Sequence, residues 1–233
     1  MAQSHEEAGR VARVSPQDLD LFTHLETTLY TAVVSDALDD LGFRDQAMAE
    51  HLRPVGASVV FAGRARTVLC EDTYDLDEDP YGMEIAAIDS ILPGEVVVVA
   101  TGGSRRNAPW GELLSTAAIA RGARGAVVDG LVRDVRRIQE LGFPIFAAGF
   151  KPVDSKGRGR VVGYNEPVRC ADVTVNPGDL VFGDLDGIVV VPAEMVATVV
   201  RSATDKVSRE NHSREELRKG AYLRTVYDKY GVL

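Results

Sequence analysis

VVVVATGGSRRNAPWGELLSTAAIARGARGAVVDGLVRDVRRIQELGFPIFAA, residues Val96–Ala148, switches between two periodicities, and the switching predicts the architecture. The run from Val96 to Ala100 is β-branched and free of polar side chains, as expected of an interior strand of a parallel sheet. A helix is predicted from Gly111 to Arg121, a strand from Ala126 to Val128, a helix from Asp134 to Leu141 and a strand from Ile145 to Ala148. Right-handed β–α–β crossovers of this kind build a parallel layer covered by helices. Open sheets of this class bind ligands beyond the carboxyl ends of their strands. Glu112 opens the first helix, and Arg133 and Asp134 open the second, so all three are predicted at that edge.

Working outward, residues 1–16 read as a polar arm, and Ser15, Pro16, Gln17 and Asp18 begin a helix running to Thr27. In TTLYTAVVSDALDDLG, Val33, Val34, Ala37, Leu38 and Leu41 recur at helical spacing before Gly42. A strand is predicted from Val59 to Leu69. It breaks into CEDTYDLDEDPYGME, which holds seven acids and no base. The glycine and ligand spacing of a calcium loop is absent there, so a solvated loop is expected, followed by a helix near Tyr81–Ser90. Beyond Ala148, RGRVVGYNEPVRC, ADVTVNPGDLVFGD and DGIVVVP read as short strands between turns, an antiparallel meander predicted to form a second sheet. The tail AEMVATVVRSATDKVSRENHSREELRKG reads as one long amphipathic helix, with a shorter one through Tyr230. The division is therefore an arm at 1–16, an α/β domain at 17–192 and a helical extension at 193–233 suited to an oligomer contact.

With 233 residues, 45% of them hydrophobic, the chain can bury one α/β domain with extensions. A net charge of −9 and the lack of a basic stripe argue against nucleic acid as a partner. The amino terminus does not read as a signal peptide, and no apolar run reaches bilayer length, so a soluble cytoplasmic protein without membrane contact is expected. Cys70 and Cys170 have no CxxC partner and read as small buried hydrophobes. The four histidines show neither HxH nor HExxH spacing.

An arginine at a helix start after a strand presents a planar fork to a carboxylate, and an adjacent aspartate can hold a hard divalent cation. The first-turn amides of Leu113, Leu114 and Ser115 favour an anion. Glu112 can orient a water or carry a proton. That set suits a 2-oxo acid, with the cation polarising the keto oxygen while Arg133 fixes the carboxylate, as in a pyruvate aldolase or a 2-oxo acid decarboxylase. Structural roles are also open: Asp134 as a helix-start acid, Arg133 as a surface ion-pair residue and Glu112 as a dipole partner. Trp110 either packs over the helix start or touches substrate.

An acid, twenty residues and then Arg-Asp, here Glu112, Leu113 to Val132, Arg133 and Asp134, resembles the pattern of the RraA-like family. That family contains class II 4-hydroxy-4-methyl-2-oxoglutarate/4-carboxy-4-hydroxy-2-oxoadipate aldolases and regulators of ribonuclease activity A. TAVVSDALDDLG, PGEVVVVA, GAVVDGLVRD, PIFAAG, VTVNPGDLVFGDLDGIVVVP and SREELRKG extend the similarity over nearly the whole chain. The resemblance implies a three-layer β/β/α sandwich of the swivelling-domain kind, with partly parallel and partly antiparallel strands and helices at both ends. It also implies a homo-trimer or hexamer with sites near subunit interfaces, and Mg²⁺ or Mn²⁺ as metal. By the same resemblance, Arg133 would bind the pyruvyl carboxylate, Asp134 would anchor the metal and Glu112 would act on it through water. Gly111 and the amides of Leu113 and Leu114 would complete the anion pocket. A neighbouring subunit would donate an acid, Glu210, with Glu215 and Glu216 as rivals. The family motif usually has aspartate where this chain has Glu112, which bears on the substrate. The expected activity is C–C lysis of a pyruvyl substrate; the alternative is a non-catalytic, protein-binding regulator of a ribonuclease.

Overall fold

The valine run of residues 96–99 divides its side chains between two cores, and the layers follow from that division. A computed structural model describes residues 15–56 and 60–232. The expected polar arm falls outside the described residues as far as residue 14. Helices α1 (Pro16–Thr28) and α2 (Thr31–Asp40) come first, then strands β1 (Arg53–Pro54) and β2 (Phe61–Asp72). The central unit is α3 (Gly82–Asp89), β3 (Glu95–Ala100), α4 (Glu112–Ala120), β4 (Gly125–Val132), α5 (Val135–Leu141) and β5 (Ile145–Phe150). Strands β6 (Gly159–Tyr164), β7 (Val168–Cys170), β8 (Val173–Val175), β9 (Leu180–Gly183) and β10 (Ile188–Val191) precede α6 (Val196–Arg218) and α7 (Leu223–Tyr230).

Strands β3, β4 and β5 pair in parallel, as the crossovers predict, and β2 adds a further parallel strand beside β3. The main sheet has eight strands in the order β1-β5-β4-β3-β2-β9-β10, with β6 also on β2. Most of the meander therefore joins this sheet, and the second sheet is only the β7–β8 hairpin. The cause is the length of β2. Phe61–Arg64 pair antiparallel with β9, and Val68–Asp72 pair with β6 across a register shift between Leu69 and Cys70.

Side chains alternate across a strand. Val96 and Val98 accordingly pack with Val168, Cys170, Val173 and Val175 of the hairpin. Val97 and Val99 pack with Ala87 and Ile88 of α3, Ala118 of α4 and Ile138 of α5. The result is a β/β/α stack. A third cluster joins α1, α2 and α6 to β9 and β10, with Val196, Val199, Ala203 and Val207 forming the apolar stripe of α6. Ser15 and Asp18 close a capping box on α1, and the Asp184 carboxylate accepts the Thr31 amide at 2.8 Å where α2 begins. No helix among the described residues is long and apolar enough to cross a membrane.

Candidate active site

The ends of β3 and β4 lead into two turns that are fastened to each other. Trp110 pairs with Val132 in a parallel bridge, and the Arg133 amide donates to the Trp110 carbonyl at 2.9 Å. Trp110 itself is buried, and its indole N–H donates to Ser115 Oγ at 2.9 Å. Of its two expected roles, packing over the helix start is the one observed. The Ser115 hydroxyl donates in turn to the Gly111 carbonyl at 2.9 Å, so the entry to α4 is held internally.

Asp134 stands at the N-cap of α5 with φ 59° and ψ 30°, the left-handed region. That conformation is costly for most side-chain-bearing residues but is one that Asp and Asn adopt, and Asn165, Ala171 and Asp172 also have positive φ. The Asp134 carboxylate does not cap its own helix. Instead Asp134 Oδ2 accepts the Glu112 amide at 3.3 Å, so the second turn reaches back to the first.

Arg133 Nη2 lies 3.1 Å from Asp154 Oδ1, and Arg133 Nε lies 3.7 Å from Asp134 Oδ2. The Tyr81 hydroxyl donates to Asp154 Oδ2 at 2.5 Å. Burial pushes the Asp154 carboxyl up, but the hydrogen bonds from Tyr81 and Lys156 and the Arg133 charge outweigh it and hold the group below the usual carboxylate range. The same hydrogen bond to Asp154 raises the Tyr81 phenol, helped by burial. Glu84, in the first turn of α3, is pushed up to about 7 by burial and by the Asp154 charge, with Arg133 acting in the opposite direction. Glu84, Leu113, Leu114, Arg133, Asp134 and Asp154 line one cavity of about 310 Å³.

Of the residues expected to act, Arg133, Asp134, Gly111, Leu113 and Leu114 meet around this cavity. The Leu113 and Leu114 amides have no acceptor among the described residues. The Ser115 amide is already used by the Gly111 carbonyl at 3.1 Å. Glu112 contributes its amide to Asp134, while its carboxylate accepts from Thr116 Oγ1 at 2.8 Å and does not line the cavity. Glu210 lies on α6, away from the cavity of its own chain, where it accepts the Tyr30 hydroxyl and faces Arg214. Glu216 is held by Lys229 and by the Tyr230 hydroxyl at 2.8 Å, whereas Glu215 is exposed. Cys70 and Cys170 are buried free thiols, with burial pushing Cys70 up to about 12.

Sequence reasoning missed Tyr81, Glu84 and Asp154. Tyr81 and Glu84 end the acidic segment expected to be a solvated loop, and the one available signal was the concentration of acids just ahead of a helix. Asp154 lies beyond β5 and carries no local pattern.

A parallel core with two mutually fastened turns at its carboxyl edge defines a class of α/β proteins, and comparison with known proteins narrows it. The chain belongs to the RraA-like family, described as Aldolase/RraA, which matches residues 31–190. It is 32% identical over 193 residues to a protein of Halalkalibacterium halodurans provisionally named 4-hydroxy-4-methyl-2-oxoglutarate aldolase, covering 83% of this chain and 86% of that one. Among solved structures, an uncharacterised protein from Pseudomonas syringae pv. tomato superposes with a TM-score of 0.82 at 27% identity, covering 97% of this chain and all (100%) of the other. Streptomyces coelicolor RraAS2, described as an unusual member of the RNase ES inhibitor RraA protein family, superposes with a TM-score of 0.75 at 32% identity, covering 87% of this chain and 98% of its own.

Proposed function

We propose that the protein is a divalent-cation-dependent lyase that cleaves a C–C bond in a pyruvyl substrate, with a 4-hydroxy-4-methyl-2-oxoglutarate-like substrate or oxaloacetate as the source of pyruvate. The observation that carries this reading is the Arg133–Asp134 pair on one cavity with the free amides of Leu113 and Leu114. The similarity to the H. halodurans protein supports it.

In this reading the Arg133 guanidinium binds the substrate carboxylate, steadied from behind by Asp154. The Leu113 and Leu114 amides, at the positive end of α4, take up the remaining anionic oxygens. Among the described residues no three His, Cys, Asp or Glu side chains cluster as a closed metal cage, and the donor offered is the single Asp134 carboxylate. That set fits Mg²⁺ or Mn²⁺, which keep several waters and need only one or two carboxylates; Glu112, expected to act through water, would first have to leave Thr116 to do so. When bound, the cation supplies positive charge for the oxygen that becomes negative as the bond breaks.

Purified protein is expected to release pyruvate from 4-hydroxy-2-oxo acids or oxaloacetate with Mg²⁺ or Mn²⁺, and to lose that activity with EDTA or with Arg133→Ala. Activity surviving both treatments overturns the reading. We also infer a homo-trimer or hexamer, supported by the exposed apolar residues Tyr222, Leu223 and Tyr227 of the tail, with Glu210 as the acid offered to a neighbour. Light scattering giving a monomer refutes that assembly. The similarity to RraAS2 supports a second reading, a regulator that binds a ribonuclease. Inhibition of an RNase E-type enzyme by a preparation with no lyase activity would favour it.

A further inference from the structure

We propose that Glu84 is the proton-transfer residue of this site, accepting the proton of the substrate's C4 hydroxyl and returning it to C3. The inference rests on the lyase reading. Glu84 reaches the cavity from α3, a different element from those carrying Arg133 and Asp134, and its carboxyl has no hydrogen-bond donor among the described residues. Its charged and titratable neighbours are Tyr81 just before its own helix, Asp77 and Asp79 from the segment ahead of it, Asp154 from the β5–β6 loop, Arg133 and Asp134 from the β4–α5 turn, Cys70, Glu71 and Asp72 from the end of β2, and Arg160 and Tyr164 from β6. None of them occupies it. Tyr81 and Arg133 both direct their donors to Asp154, Arg160 faces Asp77 at 3.5 Å, and Cys70 is a buried thiol. Glu112, by contrast, has its carboxylate on Thr116 and off the cavity wall. With its carboxyl pushed up to about 7, Glu84 exchanges a proton readily near neutral pH.

The steps balance without a co-reactant. The ionised Glu84 takes the C4 hydroxyl proton, the C3–C4 bond breaks, and its electron pair moves to C3 to give the pyruvate enolate while C4 becomes a carbonyl. Glu84 then gives the same proton to C3, forming pyruvate and regenerating the carboxylate. For oxaloacetate, loss of CO₂ leaves the enolate directly, and only the second transfer, from protonated Glu84, is needed, after which Glu84 takes up a proton from solvent.

Aldol cleavage therefore requires the ionised form and decarboxylation the protonated form. In the wild type, kcat/KM for a 4-hydroxy-2-oxo acid should fall below about pH 7, while kcat for oxaloacetate, whose proton delivery follows loss of CO₂, should fall above it. Glu84→Gln should lower kcat by about 100-fold or more with little change in KM and abolish both limbs. It should also slow deuterium exchange into the pyruvate methyl group, followed by NMR in D₂O. Glu84→Asp should restore part of the rate, and circular dichroism should show both variants folded. A folded Glu84→Gln enzyme that keeps wild-type kcat and both limbs, or keeps the methyl exchange rate, overturns the proposal while leaving the lyase reading intact. A wild type that releases no pyruvate with Mg²⁺ or Mn²⁺ overturns both.

Discussion

A Cβ at position 111 would stand 2.7 Å from Asp134 Oδ2 and 3.1 Å from Arg133 Cγ, so Gly111 and Asp134 approach as closely as a glycine allows. The backbone of Gly111 is extended, with φ −151°, and any residue could adopt it. What a larger residue would disturb is the Asp134 and Arg133 side chains. Since both atoms belong to side chains that can swing away, Gly111→Ala should cost under about 1 kcal/mol of stability. It should nevertheless reduce kcat/KM by at least about tenfold, because misplacing catalytic groups by fractions of an ångström is expensive. Thermal unfolding and pyruvate-release kinetics on the same preparation check both halves.

The left-handed backbone of Asp134 separates its local and functional roles. Asn tolerates this region nearly as well as Asp and can still accept the Glu112 amide, so Asp134→Asn should match the wild type in melting temperature. It should lose Mn²⁺ binding measured by electron paramagnetic resonance. Asp134→Ala loses the acceptor and suffers the backbone strain, and should be destabilised by about 1–2 kcal/mol.

In the lyase reading, Asp154 and Tyr81 act through Arg133 as positioning residues. Asp154→Asn weakens a charge-assisted contact at 3.1 Å, and KM should rise by about tenfold with a smaller change in kcat. Tyr81→Phe removes the donor behind Asp154, and its effect should be smaller and in the same direction. If the two single effects multiply in the double variant, the relay has no coupling.

Glu84 also predicts a pH dependence of stability. Its folded-state value of about 7 lies above the ordinary 4.5, so the native state binds more protons than the unfolded chain between those limits, and stability falls as pH rises through that window. Asp18 and Asp154 are shifted downward from 3.8 and act in a separate, more acidic window. Glu84→Gln should therefore be more stable than the wild type at pH 8 and lose that advantage at pH 5. Urea unfolding at the two pH values measures the difference.

Arg66 and Glu95 form a buried ion pair on neighbouring strands, with N–O distances of 2.9 and 3.0 Å, and Glu95 also accepts the Leu92 amide at 2.8 Å. Removing one partner leaves a buried charge alone, so Glu95→Ala should cost about 3–5 kcal/mol. Calorimetry should show the melting temperature lowered by on the order of 10 °C.

The central crossovers were legible because their signals are local: a β-branched run, helical spacing and turn residues within a few positions of each other. Arg133 and Asp134 were legible for the same reason, since a strand end followed by a helix start fixes where they stand. The pairing of β6 and β9 was not. Both are recognisable as strands, but their partner is β2, about a hundred residues earlier, and no spacing within the meander carries that register, while β10 joins the sheet only through β9. Glu84 and Asp154 were hidden by the same distance, because their meeting with Arg133 depends on how α3 and the loop after β5 fold over the sheet edge. Glu112 shows the converse. The sequence places its backbone correctly at the start of α4, but its rotamer is decided by Thr116 one turn on.

The bridge between Trp110 and Val132 fastens the anchor of the site to the sheet, while the far wall comes from α3 and the segment before it. Heredity can therefore vary the two halves separately. In the lyase reading, substitutions along residues 72–85 other than at Tyr81 and Glu84 can reshape what is accepted without removing the groups that hold the carboxylate, which gives one scaffold a route to diversify across related substrates.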